Sequence, residues 1–93
     1  MEPLPEPEIA ARLERLGPAW RREGDTLVSD RECQDFVSAI ALVDRIAVEA
    51  ERANHHPDLL VHSYKRLRVT LSTHAANGIT EYDFALAAAI DAL

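Results

Sequence analysis

Residues 36–72, FVSAIALVDRIAVEAERANHHPDLLVHSYKRLRVTLS, change their hydrophobic period partway along. In the first half apolar residues recur every three or four positions, the period of an amphipathic helix. The apolar stripe comprises Phe36, Ile40, Val43, Ala47 and Ala50, supported by Ala39 and Ile46. At residues 67–72 apolar and polar residues alternate, the period of a half-buried strand. The stretch predicts a long helix that ends near Asn54, where Pro57 forces extended backbone, and then a strand.

Two hairpins are predicted around this helix. Residues 59–61 form a short apolar run, and residues 62–65 connect it to the alternating strand. Upstream, Gly24-Asp25 is a favoured two-residue turn between residues 20–23 and 26–28. The segment 29–33 is ambiguous, because Ser29 followed by Glu32 resembles a helix capping box. We expect a strand there, since sheet pairing overrides weak local preferences.

The two ends of the chain complete the predicted order of elements. Ile9, Leu13 and Leu16 have helical spacing from Glu8 onward, and Gly17-Pro18 stops that helix. The last helix covers residues 81–93, with Thr80 as its cap and Asp83 in the capping-box position. The order is α-β-β-α-β-β-α, which predicts an α+β fold, an antiparallel sheet with helices packed on one face. Residues 1–7, with three prolines, are predicted to be a flexible leader, and residues 8–93 a single domain.

Composition excludes several classes of function. A chain of 93 residues has room for one domain. The net charge of −6 has the wrong sign for nonspecific binding of nucleic acid. The single cysteine, Cys33, excludes an intramolecular disulfide and a thiolate zinc site. The start has no signal-peptide pattern and no apolar run is long enough for a membrane, so we expect neither a nucleic-acid nor a membrane partner and a cytoplasmic location.

Three histidines stand at predicted boundaries between elements. His55 and His56 follow the long helix, and His74 follows the last strand. Imidazole both accepts and donates a proton near neutral pH, so acid and base roles are available. The residues alone leave two alternatives, a structural role as a helix cap or surface group, and a metal site that includes Asp58. No HExxH motif or cysteine pair supports the metal.

Three ordered motifs accompany these histidines. They are ERANHHPD at residues 51–58, LSTH at 71–74 and GIT at 78–80, followed by Asp83 and Leu86-Ala87. This pattern resembles the pterin-4a-carbinolamine dehydratase family. The resemblance runs from about Phe36 to the C-terminus, and Trp20 matches a tryptophan of the family further upstream.

The resemblance implies a four-stranded antiparallel sheet and an enzyme that dehydrates 4a-hydroxytetrahydropterin by general acid–base catalysis, in tetrahydropterin recycling. No metal, nucleotide or redox cofactor is implied. The implied catalytic residues are His55, His56 and His74, and the supporting or substrate-binding residues are Glu51, Asp83, Pro57, Asp58 and Trp20. Which of His55 and His74 donates the proton stays open, as do the natural pterin and the roles of His62 and Tyr64.

A non-catalytic reading of the same fold is the alternative. The last helix is apolar on nearly every side, which predicts a second partner surface. We therefore expect a homodimer or homotetramer that associates through the C-terminal helix. A dimerisation or assembly and coactivator module would use the same surface without needing the histidines.

Overall fold

The computed structural model describes residues 1–93 as three helices and a four-stranded sheet. The elements are α1 (Glu6–Leu16), β1 (Arg21–Glu23), β2 (Thr26–Glu32), α2 (Phe36–Ala53), β3 (Asp58–His62), β4 (Arg66–Leu71) and α3 (Glu81–Asp91), with a 3₁₀ turn (His74–Ala76) before α3. The strands are all antiparallel, in the spatial order β1-β2-β4-β3. The predicted α+β class and the order α-β-β-α-β-β-α are confirmed.

The central strand β4 has the predicted period of two. Leu67, Val69 and Leu71 are fully buried, whereas the intervening Arg68 and Thr70 are partly exposed on the other face. In the register with β2, Leu71 lies opposite Leu27. One face of the sheet therefore forms the core with the three helices, and the other face carries charged side chains.

The ambiguous segment 29–33 is a strand, as expected. Six residues of β2 pair with β4, and the Cys33 N–H donates to the Lys65 carbonyl at 2.8 Å. The helix α2 is instead capped by Asp35, whose carboxylate accepts the Ser38 N–H at 2.8 Å. The pairing of a whole strand outweighs the one local cap that Ser29 offered.

The helix α2 ends as predicted, at Asn54 in the left-handed conformation (φ 50°). Its buried face differs from the predicted stripe. Ala39, Ile46 and Ala50 are buried, whereas Phe36 and Ile40 are 51% and 38% exposed. The buried face is therefore centred on Ala39, Ile46 and Ala50 and is rotated away from Phe36 and Ile40.

The predicted leader is partly integrated into the fold. The first helix begins at Glu6, two residues before the predicted start, with Pro5 at the N-cap. The Leu4 N–H donates to the Ile79 carbonyl at 2.9 Å, and Leu4 packs against the core. Pro3 lies over Gly78, where an added Cβ would come within 2.9 Å of the proline ring. Residues of the predicted leader thus contact the rest of the fold.

None of the helices has the combination of length and apolar character needed to cross a membrane.

Asp30 is the centre of an ion-pair network on the charged face of the sheet. Its carboxylate accepts a hydrogen bond from Arg68 Nε at 2.8 Å and lies 2.9 Å from Arg21. The hydrogen bond from Arg68, followed by the one from Arg21, lowers the pKa of Asp30 below its ordinary value of 3.8. The three groups join β1, β2 and β4 across the sheet.

This network predicts a pH-dependent contribution to stability. Because folding lowers the pKa of Asp30, its contribution is present above pH 3.8 and is lost as the pH falls through the lowered folded value. We expect Asp30→Asn to lower the urea midpoint at pH 7 by about a few tenths of a molar, since exposed pairs are weak. The difference from the parent protein should shrink in acid. Glu14→Gln, at an exposed position of α1 that makes no ion pair, is the control, and an equal effect of that substitution would contradict the prediction.

Candidate active site

A cavity of about 390 Å³ lies where the end of α2, the turn after β4 and the first turn of α3 meet. Its volume falls in the range of small-molecule binding sites. The lining residues are Met1, Ala53, Asn54, His55, Thr73, Ala75 and Tyr82. These are mainly residues at the ends of elements, which the sheet and the helices hold in place.

His55 is placed in this cavity by the end of α2. Asn54 leaves the helix in the left-handed conformation, and the His55 N–H still donates to the Ala50 carbonyl at 3.1 Å. The His55 side chain is 13% exposed, and its Nε2 lies 2.6 Å from Oδ1 of the fully buried Asp83. The ring of Tyr82 lies beside it, with 6.0 Å between ring centroids.

The pairing with Asp83 assigns the hydrogen on the His55 ring. An ionised carboxylate only accepts hydrogen bonds, so Nε2 carries the hydrogen. The other nitrogen, Nδ1, is then a lone-pair acceptor in the neutral ring and a donor in the cation. His55 can therefore take up and return one proton at Nδ1 while it keeps its bond to Asp83.

His56 has a different environment from its neighbour. Its Nε2 is hydrogen-bonded to Glu51 on the last turns of α2, and the two side chains are 59% and 76% exposed. Successive side chains of an extended segment point in opposite directions, which explains the divergence from His55. Each of the two predicted acids is thus hydrogen-bonded to one histidine. Asp83 pairs with His55 in the cavity, and Glu51 pairs with the exposed His56.

His74 lies next to the cavity without lining it. It starts the 3₁₀ turn and is exposed, as its position in the strand alternation predicts. The residues on either side, Thr73 and Ala75, both line the cavity. The structure therefore brings His55 and Asp83 into direct contact and leaves His74 beside the cavity.

Trp20 lies at the opposite end of α3. It is buried, and its Nε1–H donates to Oδ1 of Asp91 at 3.0 Å, with the Arg31 guanidinium 5.5 Å from the ring centroid. Asp91 comes eight residues after Asp83, or roughly 12 Å along the helix axis. Trp20 is therefore a core residue that does not line the cavity.

Pro57 and Asp58 also lie outside the cavity lining. Pro57 leads into β3, and Asp58 is exposed at the start of that strand, opposite Thr70. In the structure both therefore belong to the entry into the sheet.

Sequence reasoning missed two residues of this site. Thr73 is buried, and its hydroxyl lies 2.8 Å from Oδ2 of Asp83. Tyr82 borders the cavity beside His55. The capping box of Thr80 and Asp83 was predicted and is present. The position of Thr73 depends on its bridge to Gly78, a contact without a local sequence signal.

A larger groove, of about 570 Å³, lies between α1 and α3. Tyr82 borders it as well, but none of the histidines lines it, and its polar residues are Arg12, Arg15 and Glu81. Of these two, only the smaller cavity is lined by a histidine, a side chain that can both accept and donate a proton, and it is the candidate active site. No three or more His, Cys, Asp or Glu side chains are grouped so as to hold a metal ion.

A buried carboxylate that holds an imidazole at a small-molecule cavity, on an α+β scaffold, defines a protein equipped for acid–base chemistry. The chain belongs to the Pterin 4 alpha carbinolamine dehydratase family, whose model matches residues 2–93. Members of this family are named as dehydratases, which are hydro-lyases, and the predicted enzyme class is confirmed at this level.

Two curated relatives illustrate the similarity. A protein of Nocardia farcinica is 46% identical over 92 residues, covering 99% of this chain and 95% of its own length. A protein of Chloroflexus aurantiacus is 47% identical over 91 residues, covering 98% of this chain and 96% of its own length. Both carry the provisional name pterin-4-alpha-carbinolamine dehydratase.

Solved structures share the fold. A transcriptional coactivator/pterin dehydratase from Brucella melitensis has a TM-score of 0.89 at 31% identity, covering 98% of this chain and 97% of its own. A pterin dehydratase-like protein described as a RuBisCO assembly factor in the alpha-carboxysome has a TM-score of 0.67 at 22% identity, covering 83% and 90%. The second similarity concerns the fold alone.

The hydrogen bonds of Asp83 predict the effect of replacing it by asparagine. Two donors, the Thr73 hydroxyl and the Thr80 N–H, converge on Oδ2, so the amide oxygen should take that position in Asp83→Asn. The amide NH₂ then faces His55 and donates to Nε2, which moves the ring hydrogen to Nδ1. Nitrogen-15 NMR of the neutral ring should show this change of tautomer.

Glu51→Gln is the matched control, because it changes the carboxylate that pairs with His56. It should leave the His55 resonances as they are in the parent protein. An unchanged Nε2–H tautomer in Asp83→Asn would contradict the assignment.

Proposed function

We propose that this chain dehydrates a 4a-hydroxytetrahydropterin to the quinonoid dihydropterin, as a step of tetrahydropterin recycling, with histidines as general acid and base. Family membership over residues 2–93 and the names of the relatives support this reaction. The observation that carries it is the pair of His55 and Asp83, 2.6 Å apart, at a cavity of suitable size.

The proposed reaction is a proton transfer at two neighbouring atoms of one ring. The bond between C4a and the hydroxyl oxygen breaks, N5 loses its proton, and a double bond forms between C4a and N5. The hydroxyl leaves as water after receiving a proton. No electrons are exchanged with another molecule, so the protein has to supply one proton acceptor and one proton donor.

His55 fits the role of the acceptor. Its Nδ1 is the free nitrogen, and the buried charge of Asp83 stabilises the imidazolium that forms when Nδ1 takes the proton from N5. The same arrangement of acid and imidazole orients the base in other hydrolytic and proton-transfer sites.

His74 and His56 are the proposed partners of His55. His74 stands between two residues that line the cavity and is exposed, so we assign it the proton for the leaving hydroxyl. His56, paired with Glu51, is the proposed donor that orients the pterin. The ring of Tyr82 gives the cavity an aromatic wall against which a flat heterocycle can pack.

We predict that His55→Gln and His74→Gln each lower kcat by about 10² to 10⁴, the contribution of a general acid or base. The measurement is the ultraviolet absorbance of freshly generated 4a-hydroxytetrahydropterin, corrected for its spontaneous dehydration. The double variant should lose less than the product of the two factors if both groups act in one step.

His62→Gln is the control for these variants, because His62 lies at the far end of β3 and hydrogen-bonds only Ser63 among side chains. It should keep the parent rate, and chelators should have no effect on that rate. Parent rates in both His55→Gln and His74→Gln would contradict the proposed roles. An inactive parent protein would favour a dimerisation, assembly or coactivator module instead.

The proposed self-association has to use outward-facing side chains. In α3, Phe84, Leu86, Ala87 and Ile90 are buried within the single chain, so only its outer face is available. That face includes Tyr82, which is 45% exposed, and the small Ala85 and Ala88. The helix α2 exposes larger apolar side chains, Phe36, Val37, Ile40 and Val48. We propose a homodimer or homotetramer to which the outer face of α3 and this face of α2 both contribute.

Charge substitutions on the two helices test this proposal. Val37 is 75% exposed, and Val37→Asp is expected to reduce the mass in light scattering to that of the 10.3 kDa chain. The reason is the cost of an unpaired charge at a dry interface. Ala88→Asp is the matching substitution on α3, and a decrease in both variants is expected. A parent protein that is already monomeric at micromolar concentration would contradict the proposal.

A further inference from the structure

The donor and the acceptor can be assigned in each hydrogen bond that links Asp83 to Thr73 and Thr80. Oδ2 of Asp83 accepts both the Thr73 hydroxyl at 2.8 Å and the Thr80 N–H at 2.9 Å. The hydroxyls of Thr73 and Thr80 lie 2.7 Å apart. Because Thr73 has one hydroxyl hydrogen and donates it to the carboxylate, the hydrogen between the two threonines comes from Thr80.

The hydrogen bonds that connect Tyr82 N–H, Thr80, Thr73, Asp83 and His55 form a chain, here called the relay. It begins at the backbone of α3 and ends at the imidazole of His55. The Tyr82 N–H donates to the Thr80 hydroxyl, Thr80 donates to Thr73, Thr73 donates to Asp83, and Asp83 accepts from His55. The side chains of Thr73, Thr80 and Asp83 are buried, and that of His55 is partly buried. No buried polar side-chain atom of the structure lacks a hydrogen-bond partner. Reversing any one bond would leave a hydrogen without an acceptor or place two hydrogens in one bond.

The Thr73 hydroxyl is not part of the capping box of α3. The capping box is complete with the Thr80 hydroxyl and the Asp83 carboxylate alone. Thr73 adds a second donor to Oδ2, which fixes the rotation of the carboxylate so that Oδ1 points to His55 at 2.6 Å. A carboxylate with one donor on Oδ2 is less restricted about its last torsion, which has a broad energy well.

We propose that Thr73 and Thr80 are positioning residues of the proposed dehydration. They lock the Asp83 carboxylate in one rotation and thereby hold His55 in the Nε2–H tautomer, with Nδ1 available to the cavity. The proposal rests on the proposed function for its kinetic consequences but not for its consequence on the tautomer.

Thr73→Val and Thr73→Ser test the relay, because the first removes the hydroxyl at nearly constant shape and the second keeps it. Thr73→Val should lower kcat by about tenfold. This is the lower end of the range for groups that orient a metal-ligating side chain through a hydrogen bond. The value of KM should stay within about twofold, since the Thr73 hydroxyl is already hydrogen-bonded to Asp83 and Thr80. Thr73→Ser should recover the parent kcat. Nitrogen-15 NMR of His55 should show a single Nε2–H tautomer in the parent and in Thr73→Ser, and a mixture in Thr73→Val.

Thr70→Val is the matched control, because Thr70 lies in β4, three residues before Thr73, with its side chain outside this network. It should change neither kcat nor the tautomer. If Thr73→Val does not fold, Thr73→Ala makes the same comparison with Thr73→Ser, since it also removes the hydroxyl that donates to Oδ2 of Asp83. A single Nε2–H tautomer together with the parent kcat in Thr73→Val, or in Thr73→Ala where that variant is used, would overturn the proposal.

The two proposals fail in different ways. An inactive parent protein whose His55 tautomer still responds to Thr73→Val would refute the dehydratase function and leave the relay in place. An active parent whose tautomer and kcat ignore Thr73→Val would refute the relay alone.

Discussion

The structure depends on supplying hydrogen-bond donors to one fully buried carboxylate, that of Asp83. A charge without partners in the interior is strongly disfavoured, so the folded state has to supply donors to both oxygens. They come from three separate segments, the start of α3 at Thr80, the turn after β4 at Thr73 and the end of α2 at His55. The cavity lies where these segments meet, and its position follows from that requirement.

Local patterns were sufficient for most of the fold. The alternation of residues 67–72 predicts β4 because one face of the sheet is buried and the other is charged. The helix end at Gly17 was predicted from Gly17-Pro18, and the end near Asn54 from Pro57, because proline disfavours helical backbone in the residue before it. The capping box of Thr80 and Asp83 was readable because both partners lie within one turn.

What the sequence did not reveal depends on contacts between distant segments. The face of α2 that is buried is decided by how the helix packs against α3 and the sheet, which leaves Phe36 and Ile40 partly exposed. Leu4 is held by a hydrogen bond to Ile79, at the other end of the chain. The family resemblance predicted His55 and Asp83 as site residues, but their pairing across 28 positions is a property of the fold.

The two adjacent histidines show how the backbone divides one motif into two chemical environments. Because the segment after α2 is extended, His55 turns toward the interior and His56 toward solvent. The pair of His56 and Glu51 is exposed and screened, so it contributes little to stability. The pair of His55 and Asp83 is shielded from water, so its geometry is fixed by hydrogen bonds and not averaged by solvent.

The two oxygens of Asp83 therefore have separate tasks. Oδ2 stabilises the fold, since it accepts hydrogen bonds from the Thr80 N–H at the start of α3 and from the Thr73 hydroxyl in the neighbouring turn. Oδ1 serves the imidazole, and its direction is set by what holds Oδ2. The stability of the start of α3 and the orientation of the proposed base are thus coupled through one rigid group. A substitution that disturbs the cap also disturbs the orientation of the proposed base. The loss of His55, in contrast, would leave Oδ2 of Asp83 with both of its donors.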